Sequence, residues 1–219
     1  MLLRRNFLNL MSKSNISSQI RKISCWSCGS DSPLTSNLFC SKCKALQKPE
    51  TPENYFKILG ITETYDLDES DLAKRYKELQ KHLHPDKYAN RKKEEQEISA
   101  QYSSLVNDAY KILLEPLTRG IYMLHLRGKE IPENTQIDQE FLMEIMEKNE
   151  EVENADTEEE IMKLNKENKQ VIKTLQKQLS TAFFDGDLNK VTHLLGRMKY
   201  FTSIDSQIQT AIRNKGIIR

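Results

Sequence analysis

The sequence predicts a mainly α-helical protein with a small cysteine-rich module near its N-terminus, a helical domain, and a C-terminal three-helix bundle. Two observations carry this. From about residue 55 onward, apolar residues recur at three- and four-residue steps, and only seven Gly and six Pro interrupt 219 residues. All four cysteines fall between positions 25 and 43. Lys and Arg total 33 against 32 Asp and Glu, so no net field points to nucleic acid or acidic lipid. No apolar run approaches the ~18 residues needed to cross a bilayer.

Residues 1–24 contain no acid; they carry Arg4, Arg5, Lys13, Arg21 and Lys22 among serines, with Leu3, Phe7, Leu10 and Met11 at helical spacing. An Arg- and Ser-rich, acid-free amphipathic start is the pattern of a mitochondrial transit peptide. A basic tail or a helix lying on a membrane surface would share part of it.

Residues 25–48 hold "CWSCG" and "FCSKC", which supply Cys25, Cys28, Cys40 and Cys43. Each Cys-x-x-Cys bends the chain so that two thiolates converge on one cation, and two such knuckles complete the tetrahedron that Zn²⁺ prefers. The eleven-residue gap between the pairs leaves room for a hairpin. Gly29 suits the tight first knuckle, while Lys44 stands at the matching place in the second. Disulfides or a redox pair are the competing readings; a reducing compartment argues against the first and the duplicated pair against the second. A closed four-cysteine site is structural, with no open position for catalysis.

The helices follow in order. "TPENYFKILG" reads as a short helix with Pro52 near its start and Gly60 as its stop. "LDESDLAKRYKELQKHL" starts at the N-cap Asp68 and buries Leu72, Tyr76, Leu79 and Leu83. It ends in His84-Pro85-Asp86, because Pro85 biases His84 away from helical dihedrals. "YANRKKEEQE" reads as a polar loop. The next helix carries Ile98, Tyr102, Leu105, Val106, Ala109, Tyr110 and Leu113 up to Pro116; another holds Ile121, Tyr122, Leu124 and Leu126. A boundary is expected near 129–137. Beyond it come "DQEFLMEIMEKNEEVEN", a helix from Thr157 to about Phe184 with Ile161, Leu164, Val171, Leu175, Leu179 and Ala182 as its apolar stripe, and a last helix from Leu188, with Gly186 in the turn between them.

Asp86 sits at a fixed bend beside Lys74, Arg75, Lys77, Lys81 and Lys87, a charged docking surface or, more plainly, a solvated helix end. A basic helix, this tripeptide and a longer following helix resemble the J domain of DnaJ-like co-chaperones. "YFKILGI" is similar to that family's opening helix, and the resemblance spans residues 53–128. It implies that His84, Pro85 and Asp86, with the basic residues just named, engage a DnaK-type chaperone and stimulate its ATPase. The protein then needs no active site of its own and is not an enzyme.

No Gly/Phe-rich segment follows, whereas "PLTRGIYMLHLRG" and "FLMEIMEKNEE" look like the HscB family, co-chaperones dedicated to iron–sulfur cluster biogenesis. The four-cysteine module is similar to that of animal-type mitochondrial members. The resemblance implies a zinc-containing matrix protein whose bundle (137–215) binds an IscU-type scaffold and brings it to the mitochondrial DnaK-type chaperone. A homodimer and a cytosolic pool are compatible with the sequence. Two other classes compete. One is a general J-domain folding co-chaperone; the other is a zinc-dependent nucleic-acid-binding protein, disfavoured by the balanced charge and by the lack of aromatic–basic clusters. Neither a phosphate loop nor a catalytic triad is present.

In "FLMEIMEKNEE" one buried stripe is supplied by Phe141, Ile145 and Val152. Leu142, Met143 and Met146 are then surplus, and an exposed apolar strip marks an interaction site unless the core-facing stripe is simply wide. Resemblance to HscB maps the scaffold-binding patch onto Leu142, Met143, Met146, Glu147 and Glu150. Tyr200 joins them where the family commonly has Phe, and Asn154 stands where the family has an acid.

Overall fold

The computed structural model describes residues 24–31, 34–35, 38–48, 54–132 and 138–214. The basic N-terminal segment, Pro52 and most of the expected 129–137 boundary lie outside these residues. The described residues fall into two compact units, one ending at Lys48 and the other beginning at Pro49. None of the described helices is long and apolar enough to cross a membrane.

In the first unit, β1 (Leu34–Thr35) pairs antiparallel with β2 (Phe39–Cys40), Leu34 facing Cys40. A bridge from Phe39 to Leu46 adds a third edge. Leu38, Leu46 and Cys40 are buried, and the Trp26 indole N–H donates to the Leu46 carbonyl at 2.7 Å.

Among its described residues the second unit contains helices and no strand. Helix α1 (Tyr55–Leu59) is capped by Asn54, whose side chain accepts from the Phe56 amide, and stops at Gly60 with φ 66°. Tyr55 stacks on Tyr122 at 4.6 Å. Helix α2 (Glu69–Leu83) starts where Asp68 accepts from the amides of Ser70 and Asp71. Those bonds favour the ionised carboxylate and hold the Asp68 pKa below its usual range.

Helix α3 (Lys93–Leu114) begins earlier than expected, absorbing "KEEQE" from the predicted loop. Glu94 and Glu95 in its first turn complement the helix dipole, which explains why polar composition alone misreads this stretch. Pro116 starts α4 (Pro116–Leu126), and the last carbonyls of α3 are taken by Thr118, on Ile112 at 2.7 Å, and Arg119, on Leu113 at 2.8 Å. Met123 and Leu124 are buried, while Leu126 is exposed.

Helices α5 (Gln139–Asn154), α6 (Glu158–Asp185) and α7 (Leu188–Asn214) form the C-terminal set. A reciprocal capping box of Thr157 and Glu160 opens α6, and Gly186 at φ 73° closes it. The α6 stripe differs from expectation: Asn165 and Asn168 are buried, while Leu164 and Val171 are only half-buried. Each Asn has a polar reason to be inside, since Asn168 donates to the Phe201 carbonyl at 3.1 Å and Asn165 accepts from Gln209 at 3.2 Å.

The J-like and bundle helices share a core. Tyr65 stacks on Phe183 at 5.3 Å, and its hydroxyl reaches the Met198 sulfur at 3.9 Å. Burial, the largest effect, raises the Tyr65 pKa well above the ordinary phenol range. Arg119, itself buried, lies over the Tyr65 ring at 5.2 Å.

Candidate functional site

Three places matter. The first is the cysteine cluster. The Sγ atoms of Cys25, Cys28, Cys40 and Cys43 all lie within 4.8 Å of one another, with Cys25 and Cys40 buried and Cys28 and Cys43 exposed. The Cys25–Cys43 and Cys28–Cys40 sulfur separations are 3.6 and 3.9 Å. A tetrahedron with ~2.3 Å metal–sulfur arms has edges of about 3.8 Å, whereas bonded sulfurs sit ~2.05 Å apart. The four thiols are therefore placed to hold a metal ion.

Local backbone geometry builds this cluster. Gly29 donates to the Cys25 carbonyl at 2.8 Å and Lys44 to the Cys40 carbonyl at 3.0 Å, so the two knuckles repeat one turn. Both adopt left-handed dihedrals, Gly29 at φ 66° and Lys44 at φ 61°. Glycine does so freely; lysine does so at a cost of roughly 1 kcal/mol.

The thiols are not equivalent. Burial raises the Cys25 pKa, but amides of Cys28 and Ser27 and the neighbouring thiols outweigh it and bring it to about 6. Cys40 is lowered too, first by the Cys43 amide. The Ser30 amide lowers Cys28, yet burial and its three neighbouring thiols together push it up to about 11. Four adjacent acids cannot all ionise alone, and a cation in their midst displaces the remaining protons.

The second place is the end of α2. His84 takes extended dihedrals, φ −59° and ψ 129°, as a following proline requires, and Pro85–Lys87 form one 3₁₀ turn. The His84 Nδ1 accepts from the Asp86 amide at 3.4 Å, and the same atom stands 3.4 Å from the Asp86 carboxylate. The carbonyls that α2 leaves open are taken from outside: Ser99 donates to Leu83 at 2.7 Å and Tyr88 to His82 at 3.1 Å. The turn is thus pinned to α3 while His84, Pro85 and Asp86 stay exposed. An open groove there is lined by Tyr76, Lys77, Gln80, Lys81, His84, Asp86 and Lys87.

Not every predicted basic residue shares that face. At 3.6 residues per turn, Lys74, Lys77 and Lys81 fall on one side of α2, but Arg75 lies about 100° away. It lines a different depression with Gly60, Asp68 and Asp71.

The third place is α5. Phe141, Ile145 and Val152 are buried, whereas Leu142, Met143 and Met146 are exposed at 38%, 57% and 63%. Glu147 and Glu150 are exposed on the same helix. Tyr200 of α7 meets the Phe141 ring edge-on at 5.6 Å, which ties it to the underside of this strip. Sequence reading missed Arg197, whose guanidinium lies 4.3 Å over the Phe141 ring and 3.8 Å from the Glu144 carboxylate.

Residues 54–122 match the family model of the DnaJ domain, and residues 137–209 match that of the HSCB C-terminal oligomerisation domain. The human iron–sulfur cluster co-chaperone protein HscB is 38% identical over 193 residues, covering 84% of this chain and 80% of its own. The Arabidopsis thaliana homolog is 31% identical over 178 residues, covering 81% and 69%. The crystal structure of human HscB superposes with a TM-score of 0.79 at 37% identity, covering 86% of this chain and 98% of its own. The chaperone HscB from Vibrio cholerae gives 0.68 at 27% identity, covering 74% and 99%.

Proposed function

Since the chain belongs to the HscB family of iron–sulfur cluster co-chaperones, we propose that it carries an IscU-type scaffold protein to a DnaK-type chaperone of the mitochondrial matrix and stimulates that chaperone's ATPase. The observation that carries the reading is the strip on α5. Leu142, Met143 and Met146 stay exposed beside Glu147 and Glu150, although the same helix already buries Phe141, Ile145 and Val152. An apolar strip rimmed by carboxylates suits a partner with an apolar centre and a basic rim. The exposed His84-Pro85-Asp86 turn and the basic side of α2 form the second docking surface, and it faces a partner that presents carboxylates. Its role is positional: it binds and biases the chaperone, and the chaperone's own residues cleave ATP.

Cys25, Cys28, Cys40 and Cys43 hold one Zn²⁺, which supplies folding energy to residues 25–48 and no chemistry. The basic N-terminal segment directs the chain to the mitochondrion.

A reconstituted ATPase assay tests the reading. The full chain and the scaffold together should raise chaperone turnover more than either alone. Equal synergy from an unfolded peptide in place of the scaffold would make this a general folding co-chaperone. Metal analysis should find one zinc per chain, and iron–sulfur absorbance in fresh protein would defeat the zinc assignment.

A further inference from the structure

We propose that Gln47 is a positioning residue of the four-cysteine centre, donating a side-chain N–H to the Cys25 sulfur and holding that buried thiolate on the metal. The inference rests on the reading of the cluster as a metal site. Gln47 follows the second knuckle and is drawn under the first by its amide, which donates to the Leu38 carbonyl at 2.8 Å, and by the Phe39–Leu46 bridge. Only 3% of it is exposed. Burying a primary amide among apolar groups is unfavourable unless its donors are used.

Both are used. The Gln47 Nε2 lies 2.8 Å from the Ala45 carbonyl oxygen and 3.4 Å from the Cys25 sulfur. A carbonyl only accepts, so the contact with Ala45 fixes which end of the amide faces inward. The second hydrogen of the NH₂ group is then directed to the sulfur. The Ser27 amide approaches the same sulfur at 3.4 Å. Four thiolates around a divalent cation leave two excess negative charges, and neutral N–H donors spread that charge without adding a cation.

Groups hydrogen-bonded to metal ligands typically contribute about 10–100-fold in affinity. Gln47→Met keeps length and apolar bulk while removing the donor, so zinc should bind about 10–100-fold more weakly in competition with a chelator. In the cobalt-loaded chain its thiolate-to-metal absorption should move to lower energy. Trp26→Phe removes a nearby bond, the one to the Leu46 carbonyl, and serves as the control: stability falls while the absorption stays in place. In the unsubstituted full-length chain loaded with ¹¹³Cd, the Gln47 side-chain amide proton should show scalar coupling to the metal through the sulfur. That measurement decides the matter if Gln47→Met does not fold. Metal bound by all four cysteines with no coupling overturns this proposal alone. No metal bound overturns the metal reading and this proposal together.

Discussion

Asp86 is held by its neighbours and not by its own side chain. Pro85 fixes the bend, His84 caps the turn, and Ser99 and Tyr88 anchor the carbonyls behind it. The Asp86 carboxylate is 89% exposed and stands 3.4 Å from the His84 ring. Removing it takes nothing from the core, and surface changes of this kind usually alter stability by less than about 0.5 kcal/mol. Asp86→Ala should therefore abolish ATPase stimulation while the helical circular dichroism and melting curve stay where they were. A collapsed melting transition would make the motif structural. Position by position, this turn is legible in the sequence because proline dictates the backbone of two residues. Gln47 and Arg119 are not legible: each is a polar residue buried by contacts that no local spacing reveals.

At the scale of the element, α5 shows why periodicity can locate a surface as well as a core. A helix in a bundle buries one stripe, so apolar residues left over after that stripe is filled must face water or a partner. Leu142, Met143 and Met146 are such residues, and their exposure follows the count. The same reasoning fails on α6, where Asn165 and Asn168 displace Leu164 and Val171 from the inner face. Periodicity weighs hydrophobicity alone, while tertiary hydrogen bonds let an amide sit inside. It fails again at the start of α3, whose first turn is charged because dipole and solvent both favour acids there. Each strip residue contributes about 1.5–3 kcal/mol when fully buried, partly offset by ordering. A net ~1 kcal/mol from each gives on the order of 10²-fold in affinity. Leu142→Ala, Met143→Ala and Met146→Ala combined should weaken scaffold binding by at least that factor in titration calorimetry. Folding should be unaffected, since Ala suits exposed helix positions. Basal ATPase stimulation should remain, because the His84–Asp86 turn is untouched.

The whole molecule divides where its two sources of stability divide. In the helical unit, α4 lies against α7 so closely that a Cβ on Gly120 would stand 2.6 Å from a Leu195 methyl carbon and 3.2 Å from the Tyr65 ring. The expected boundary near 129–137 therefore separates two runs of sequence that share one core. Gly120→Val should destabilise this unit by about 1–3 kcal/mol through overpacking. Differential scanning calorimetry should show one shifted transition for residues 54–214; two separate transitions would mean the J-like and bundle helices melt independently. Among the described residues the cysteine unit has no comparable core: Leu38, Ala45 and Leu46 are its buried apolar side chains besides the cysteines. So small an interior offsets little of the entropy of ordering its loops, and in the proposed reading the metal supplies the difference. Trp26 is the single tryptophan of the chain, and its indole is bonded inside this unit, so it reports on nothing else. Adding a strong chelator should red-shift its fluorescence as the Leu46 bond opens and the ring meets water. The helical circular dichroism should change little, because α1 to α7 all lie in the other unit. Parallel loss of both signals would show instead that the helices depend on the metal.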